Sequence, residues 1–508
     1  MNRPLDVVFV NADSSMAAYQ GLARDFAAIE PPTWSLLLAA SCRAQGFGVE
    51  ILDATAERLT HAQTVARIGD LKPRLACFVV YGQNPNSGTT NMIGNTECAA
   101  VLKAVHPDIP ICFVGSHTSA LPMEVLSLPC VDLVLLNEGV YALHSLLRTN
   151  CRTALGAVRG IGHKSDGGPI LNEPERIVPH DRMDVDLPGY AWDLLPRDRA
   201  PLDLYRAHFW HAGFDHEART PFAAIYTSLG CRFKCDFCMI NILNRVDNSP
   251  TVDAARSNVM RFWSPQHSLR EFEKLAALGV KTVRISDEMF FLDKRYYQPI
   301  LDGLIERDLG FKMWCYSRID TVRDELLPRF HDAGIGWFCL GIEAGNQTVR
   351  QEVSKGTFRD INIRDVVGSV RNAGINVISN FIVGFPDDTL ETMKQTEALS
   401  LELCTEMMNV YPCQALPGSP LHSTAQSNGW KLPDSYAGYA FLSHESQPLP
   451  THHLSAAEVL RFRDDMWHRY FSHEPYLQLL ERKFGATQRK NVEDMAKIRL
   501  KRKLLGDA

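Results

Sequence analysis

The sequence predicts an α/β chain in which an N-terminal doubly wound parallel sheet is followed by a partial (β/α)6 barrel and a mainly helical C-terminal region. Three observations carry that reading. Short β-rich runs alternate with helical patterns from residue 5 to about 150, six more strand-plus-helix units follow from 223, and the chain past 450 keeps helical spacing.

In the first unit, strands are expected over 7–10, 49–52, 75–81, 111–114 and 133–136, with helices starting near Trp34, Ala56, Glu97, Pro122 and Val140. Residues 151–222 are broken up by Gly-Gly-Pro, Leu-Pro-Gly-Tyr and Arg-Ala-Pro and read as a connecting segment. Its last part, Tyr205 to Phe214, is an aromatic and histidine cluster that either lines a site or packs between domains. The second unit places strands over 223–227, 282–286, 312–316, 338–342, 377–383 and 408–411. Helices are expected between them over 269–278, 296–307, 324–333, 363–372 and 390–404. The resulting division is 1–150, 151–222, 223–425 and 426–508. The basic end, Lys497 to Leu505, reads as a solvated terminal helix.

At 508 residues and 45% hydrophobic composition the chain can bury several cores. A formal charge of -6 offers no general electrostatic attraction to nucleic acid or an anionic membrane. No apolar run approaches the roughly 20 residues of a membrane helix, and no signal-peptide pattern precedes Leu5, so a reducing, cytoplasmic setting is expected. Ten of the thirteen cysteines sit mostly in apolar runs, as small buried hydrophobes do.

The other three are different. Cys231, Cys235 and Cys238 form C-x3-C-x2-C in Ser-Leu-Gly-Cys-Arg-Phe-Lys-Cys-Asp-Phe-Cys, directly after the first barrel strand. Three thiolates hold a four-iron cluster with one iron left open. A structural zinc site is the competitor, but zinc takes four protein ligands, and only His208, His211 and His216 lie nearby upstream. Working groups of a parallel barrel sit at the C-terminal ends of its strands, where this loop falls.

The triplet, with Phe237 before its third cysteine, resembles the signature of the radical S-adenosylmethionine (SAM) enzymes. The resemblance implies a [4Fe-4S] cluster on Cys231, Cys235 and Cys238 whose open iron is chelated by SAM. One-electron reduction then yields a 5'-deoxyadenosyl radical. It also implies SAM contacts from the later strand ends: Asp287 or Glu288, Ser317, Arg318, Glu343 in Gly-Ile-Glu-Ala-Gly, Asn380 and Gly384. A salt bridge of Arg318 with Asp320 is the alternative use of that arginine.

In an open parallel sheet, ligands sit beyond the carboxyl ends of the strands. There the first unit carries Gln83, Asn84, Asn86 and Ser87 after one strand, Gly115, Ser116 and His117 after the next, and Glu138 and Gly139 after the fifth. No G-x-G-x-x-G or Walker pattern is present. These loops resemble the cobalamin (B12)-binding domain that precedes many radical SAM barrels. The D-x-H-x-x-G motif that gives cobalt a histidine is absent, so the resemblance implies cobalamin without a protein histidine below it, with Gln83 or Asn84 near the lower face.

The expected activity is cobalamin-dependent radical SAM methylation of an unactivated carbon in a small molecule, such as a natural-product, sugar or lipid precursor. An electron donor such as flavodoxin or ferredoxin would drive it. A cyclase or other rearrangement with the same cofactors is the first alternative, and a non-catalytic cobalamin sensor is the second. A methylthiotransferase would need another cysteine triplet before residue 151, and none has that spacing.

Overall fold

Runs of β-branched and aromatic residues with no polar alternation form strands covered on both faces. In the computed structural model of the protein, which describes residues 5–249, 252–354 and 356–508, five such runs form the first sheet. They are β1 (Val7–Asn11), β2 (Val49–Asp53), β3 (Ala76–Val80), β4 (Ile111–Gly115) and β5 (Leu133–Leu135). All five pair in parallel, in the order β2-β1-β3-β4-β5. The order reverses between β1 and β3, and the crevice outside their carboxyl ends is the topological switch point where such sheets bind ligands.

The connecting segment is more than a connection. Its residues Ile161–Ser165 (β6) and Gly168–Leu171 (β7) form a hairpin that extends this sheet antiparallel to β5. Both strands are short and β7 is half exposed, so they lacked the apolar runs that marked the first five. The helix expected near Glu97 is Gly88–Val105, nine residues earlier, because its first turns are built of glycine, threonine and asparagine.

The second sheet contains β8 (Phe222–Ile225), β11 (Thr282–Ile285), β12 (Lys312–Arg318), β13 (Ile335–Glu343), β14 (Asn376–Val383) and β15 (Met407–Pro412). The strands lie in that order, all parallel, as an open half-barrel. Two short antiparallel strands, β9 (Ser228–Leu229) and β10 (Arg261–Phe262), clasp the base of the cysteine loop. Helices return on the outside, and four of them are begun by a side-chain cap. Ser264 caps Pro265–Ala277, Asp293 caps Lys294–Arg307, Asn362 caps Ile363–Asn372 and Thr389 caps Leu390–Leu403. The helix expected over 324–333 is split into a 3-10 turn, Asp324–Leu326, and a short helix, Leu327–Asp332. Pro328 has no N–H to bond backwards, so the α-helix begins around it.

The C-terminal region supplies Ala456–Phe471, Glu474–Phe484 and Ala486–Ala496. The expected terminal helix does not form. Arg502 is buried instead, paired with Asp464 at 2.9 Å and donating to the carbonyls of Phe441 and Ser443. One continuous apolar core runs from Phe9 and Trp34 in the first unit through Tyr226 and Phe338 in the barrel to Met495. A second core, with Val8, Phe78 and Phe113, fills the other face of the first sheet.

Candidate active site

The loop after β9 holds Cys231, Cys235 and Cys238 half exposed, whereas nine of the other ten cysteines are buried. Backbone and side-chain bonds fix its shape. The Cys231 N–H donates to Asn241 Oδ1 at 2.9 Å, Asp236 N–H to Val353 O at 3.1 Å, and Cys238 N–H to Cys235 O at 3.2 Å. Desolvation pushes the thiols up, Cys231 to about 12 and Cys235 to about 11, the latter eased by Arg318. Such thiols ionise when a metal centre supplies positive charge. Among the described residues, no three His, Cys, Asp or Glu side chains converge to hold a single ion. A cubane asks for something else, one sulfur on each of three irons, and a loop presenting three half-exposed thiols fits it.

Across from this loop lies a cavity of about 540 Å³, walled by the β1/β3 switch point on one side and the barrel's strand ends on the other. Glu288, Glu343, Asn380 and Phe237 line it. The two adjacent acids just past the end of β11 are thereby separated in role. Asp287 is fully buried and accepts from the Thr227 backbone and hydroxyl at 2.6 Å and from the Ser228 hydroxyl at 2.5 Å. Glu288 faces the cavity with its Oε1 closed to solvent and lacking a hydrogen-bond partner. Burial raises its carboxyl to about 8, against the pull of Arg284.

Glu343 ends β13 at a bulge, where Gly341 pairs with Asn380 and Glu343 with Phe381. Its φ of 67° is left-handed, a conformation that costs a non-glycine residue roughly 1 kcal/mol. The turn aims the carboxylate into the cavity, and burial raises it to about 7, with Arg318 lowering it. Asn380 is held by Asn409, which donates to its Oδ1 at 2.9 Å, and its own Nδ2 reaches Cys339 Sγ at 3.0 Å.

Besides Asp287, three further predicted SAM residues lie off the cavity wall. Ser317 pairs with Thr321 at 2.7 Å. Arg318 makes the bidentate salt bridge with Asp320, at 2.7 and 2.8 Å, that was its alternative reading. It also lies 3.6 Å over the ring of Phe233, which falls between Cys231 and Cys235 in the chain, and its charge favours the Cys235 thiolate, so it braces the cysteine loop. Gly384, at φ 83°, donates its N–H to Asp388, and a side chain there would strike Val459.

The first unit divides in the same way. Gln83, Asn84, Asn86 and Ser87 line the cavity. Gly115, Ser116, His117, Glu138 and Gly139 do not; they are buried behind it. Ser116 donates to Pro85 O at 2.6 Å, and His117 is taken up by Thr89 at 3.0 Å and Glu124 at 3.2 Å. Glu138 pairs with Arg261 of β10 at 2.7 Å, both side chains almost fully buried, and ties the first unit to the barrel.

Sequence reading missed the group that centres this interface. Arg284, in the middle of β11, pairs with Glu30 at 2.5 Å, donates to Gln83 O at 3.2 Å and lies 5.1 Å over Trp314 and 5.0 Å over Tyr316. A charged residue inside Val283-Arg284-Ile285 was the available signal. His208 stands 3.5 Å from Glu30 and stacks on Trp210, so part of the aromatic cluster does reach the cavity.

Residues 225–399 match the family model described as the Radical SAM superfamily, and residues 19–147 match the B12 binding domain. The chain belongs to the B12-binding-domain radical SAM enzymes. The two matched models are those described for radical SAM chemistry and for B12 binding, and together they cover most of the barrel and of the first sheet. An uncharacterized methyltransferase of Pyrococcus horikoshii is 24% identical over 418 residues, 80% of this chain and 81% of that one. The anaerobic magnesium-protoporphyrin IX monomethyl ester cyclase of Rubrivivax gelatinosus is 25% identical over 397 residues, 75% of this chain and 63% of that one. The solved radical SAM methyltransferase TsrM from Kitasatospora setae, with cobalamin and a [4Fe-4S] cluster bound, superimposes with a TM-score of 0.66. That alignment covers 97% of this chain and 99% of TsrM at 15% identity, a likeness of fold.

Proposed function

We propose that this enzyme is a methyltransferase that acts at an unactivated carbon of a small molecule held in the interdomain cavity. The observation that supports it most is the meeting of two loops on one cavity. The loop after β3, with Gln83, Asn84 and Asn86, faces the cysteine loop, and Asn86 touches Cys238. When bound, the cluster with SAM supplies a 5'-deoxyadenosyl radical and cobalamin supplies a transferable methyl group.

In this reading, Cys231, Cys235 and Cys238 bind the cluster, and Arg318, locked on Asp320, keeps Cys235 and Phe233 in place. Glu288 and Glu343 take the SAM amino group and ribose, as partly unsatisfied carboxylates do for an N–H or hydroxyl donor. Asn380 and Phe237 border the nucleoside. Trp34 and Tyr81, stacked at 4.3 Å, exclude water from the first unit's wall. A donor such as flavodoxin or ferredoxin brings the electron.

His117 is committed to Thr89 and Glu124, which supports cobalamin bound without a histidine beneath it and with Gln83 or Asn84 on that side. The electron paramagnetic resonance spectrum of the Co(II) form is then expected to show no nitrogen superhyperfine splitting that changes when the protein's histidines are labelled with 15N. Such splitting would refute that assignment.

Likeness to a cyclase as well as to methyltransferases keeps one competitor in view. Anaerobic, cluster-loaded protein with cobalamin, SAM and candidate substrates separates them. Methylation releases S-adenosylhomocysteine together with 5'-deoxyadenosine. Release of 5'-deoxyadenosine alone with substrate consumed would make it a rearrangement enzyme.

A further inference from the structure

One contact in the cavity wall joins the cobalamin side to the cluster side through a single side chain. Asn86 belongs to the first unit, on the 3-10 turn Pro85–Ser87 that follows β3. Its Oδ1 accepts the Met239 N–H at 3.0 Å, and Cys238 Sγ lies 3.8 Å from its Nδ2 and 3.9 Å from its Oδ1. The first bond fixes the orientation of the amide, with the oxygen held by Met239, and a thiolate, which has no proton to give that oxygen, can only accept from the nitrogen. The turn that carries it is pinned. Asn84 Oδ1 accepts from the Asn86 backbone N–H at 2.9 Å, Ser116 donates to Pro85 O at 2.6 Å, and Asn91 donates to Ser87 O at 3.0 Å. Gly88 completes the packing, since a Cβ there would overlap the Ser116 hydroxyl.

We infer that Asn86 is a positioning residue of the cluster, donating an N–H···S hydrogen bond to the Cys238 thiolate and thereby raising the cluster's reduction potential. The inference rests on the cluster assignment above. Adding an electron increases the negative charge that the thiolate sulfurs share, and a donor on sulfur stabilises the reduced form more than the oxidised one. Because the donor is borne on the turn that follows Gln83 and Asn84, a ligand that presses on this loop also bears on the N–H···S geometry. The first domain thus reaches the electron-accepting step of the second. Removing the donor moves the reduction equilibrium by roughly three- to tenfold, in keeping with a charge-assisted hydrogen bond, which is about 30–60 mV at 59 mV per tenfold.

The test uses the full chain, reconstituted anaerobically with iron and sulfide, as wild type and as Asn86→Leu and Asn86→Asp. Iron and sulfide content and the visible spectrum are read first. The midpoint potential then comes from a redox titration followed by electron paramagnetic resonance. Asn86→Leu removes the donor and the anchor to Met239. Asn86→Asp keeps an acceptor for the Met239 N–H but puts a carboxylate against the sulfur. Expected are full cluster loading in all three, a lower potential for Asn86→Leu and a still lower one for Asn86→Asp. A full cluster with an unmoved potential in both variants overturns the inference and leaves the cluster assignment standing. So does a shift in Asn86→Leu that Asn86→Asp restores, because the anchoring of the loop would then be what matters. Wild-type protein that takes up no cluster removes the underlying assignment itself.

Discussion

Glu288 and Glu343 are acids whose surroundings hold a proton near neutrality, Glu288 mostly, at about 8, and Glu343 about half the time, at about 7. Burial does this, and a cation docking beside them would reverse it by expelling the proton. SAM affinity is therefore expected to rise as pH goes from 6 to 8.5, measured by calorimetry in buffers of different ionisation heat to count the released proton. Glu288→Gln should flatten that slope and weaken binding about tenfold or more, the worth of a charge-assisted hydrogen bond. Ligand-free stability carries the opposite sign. The folded state holds a proton on Glu288 that the unfolded chain releases near 4.5, so its contribution falls as pH rises from there to about 8. Both acids stood out in the sequence as polar residues at strand ends. Which of Asp287 and Glu288 faces the cavity did not, because adjacent strand-end residues point to opposite sides and only the packed neighbours Thr227 and Ser228 choose between them.

The turns at the strand ends do the aiming. Gly384 has a φ of 83° with Asp388 accepting its N–H, and a Cβ there would lie 2.3 Å from Val459 Cγ1. Gly384→Ala is expected to cost about 1–3 kcal/mol in chemical denaturation. With Val459→Ala added, the double variant should lose less than the sum of the singles, since the clash is with that side chain. Equal additivity would place the cost in the backbone alone. Strand and helix elements were legible because fully apolar runs and N-caps are local signals. The hairpin of β6 and β7 was not, because its edge position leaves few apolar residues to read. Nor was the early start of Gly88–Val105, whose capping turn looks like a loop until Ser116 packs against it.

Between the two halves, buried charge does what no single element can. Glu30 with Arg284 and Glu138 with Arg261 each join the first unit to the barrel, with side chains 0–6% exposed. Removing one partner strands the other, so Arg284→Met should destabilise by about 3–5 kcal/mol. Glu30→Met combined with it should recover part of that loss, measured by denaturant unfolding. Such pairs were hidden from the sequence because their partners lie about 120 to 250 positions apart, a separation that leaves no periodic trace. The same seam carries the apolar core from Phe9 through Tyr226 to Met495 without interruption. Calorimetry is expected to show one principal transition rather than separate melting of sheet and barrel. For anyone building chimeras from this scaffold, the place to cut is then not the glycine- and proline-rich stretch that the eye picks out. A transplanted front half would have to bring its matching face along, Glu30 and Trp34 together with their receptors Arg284 and Tyr226, or the graft would present raw surface where its host expects a fitted joint.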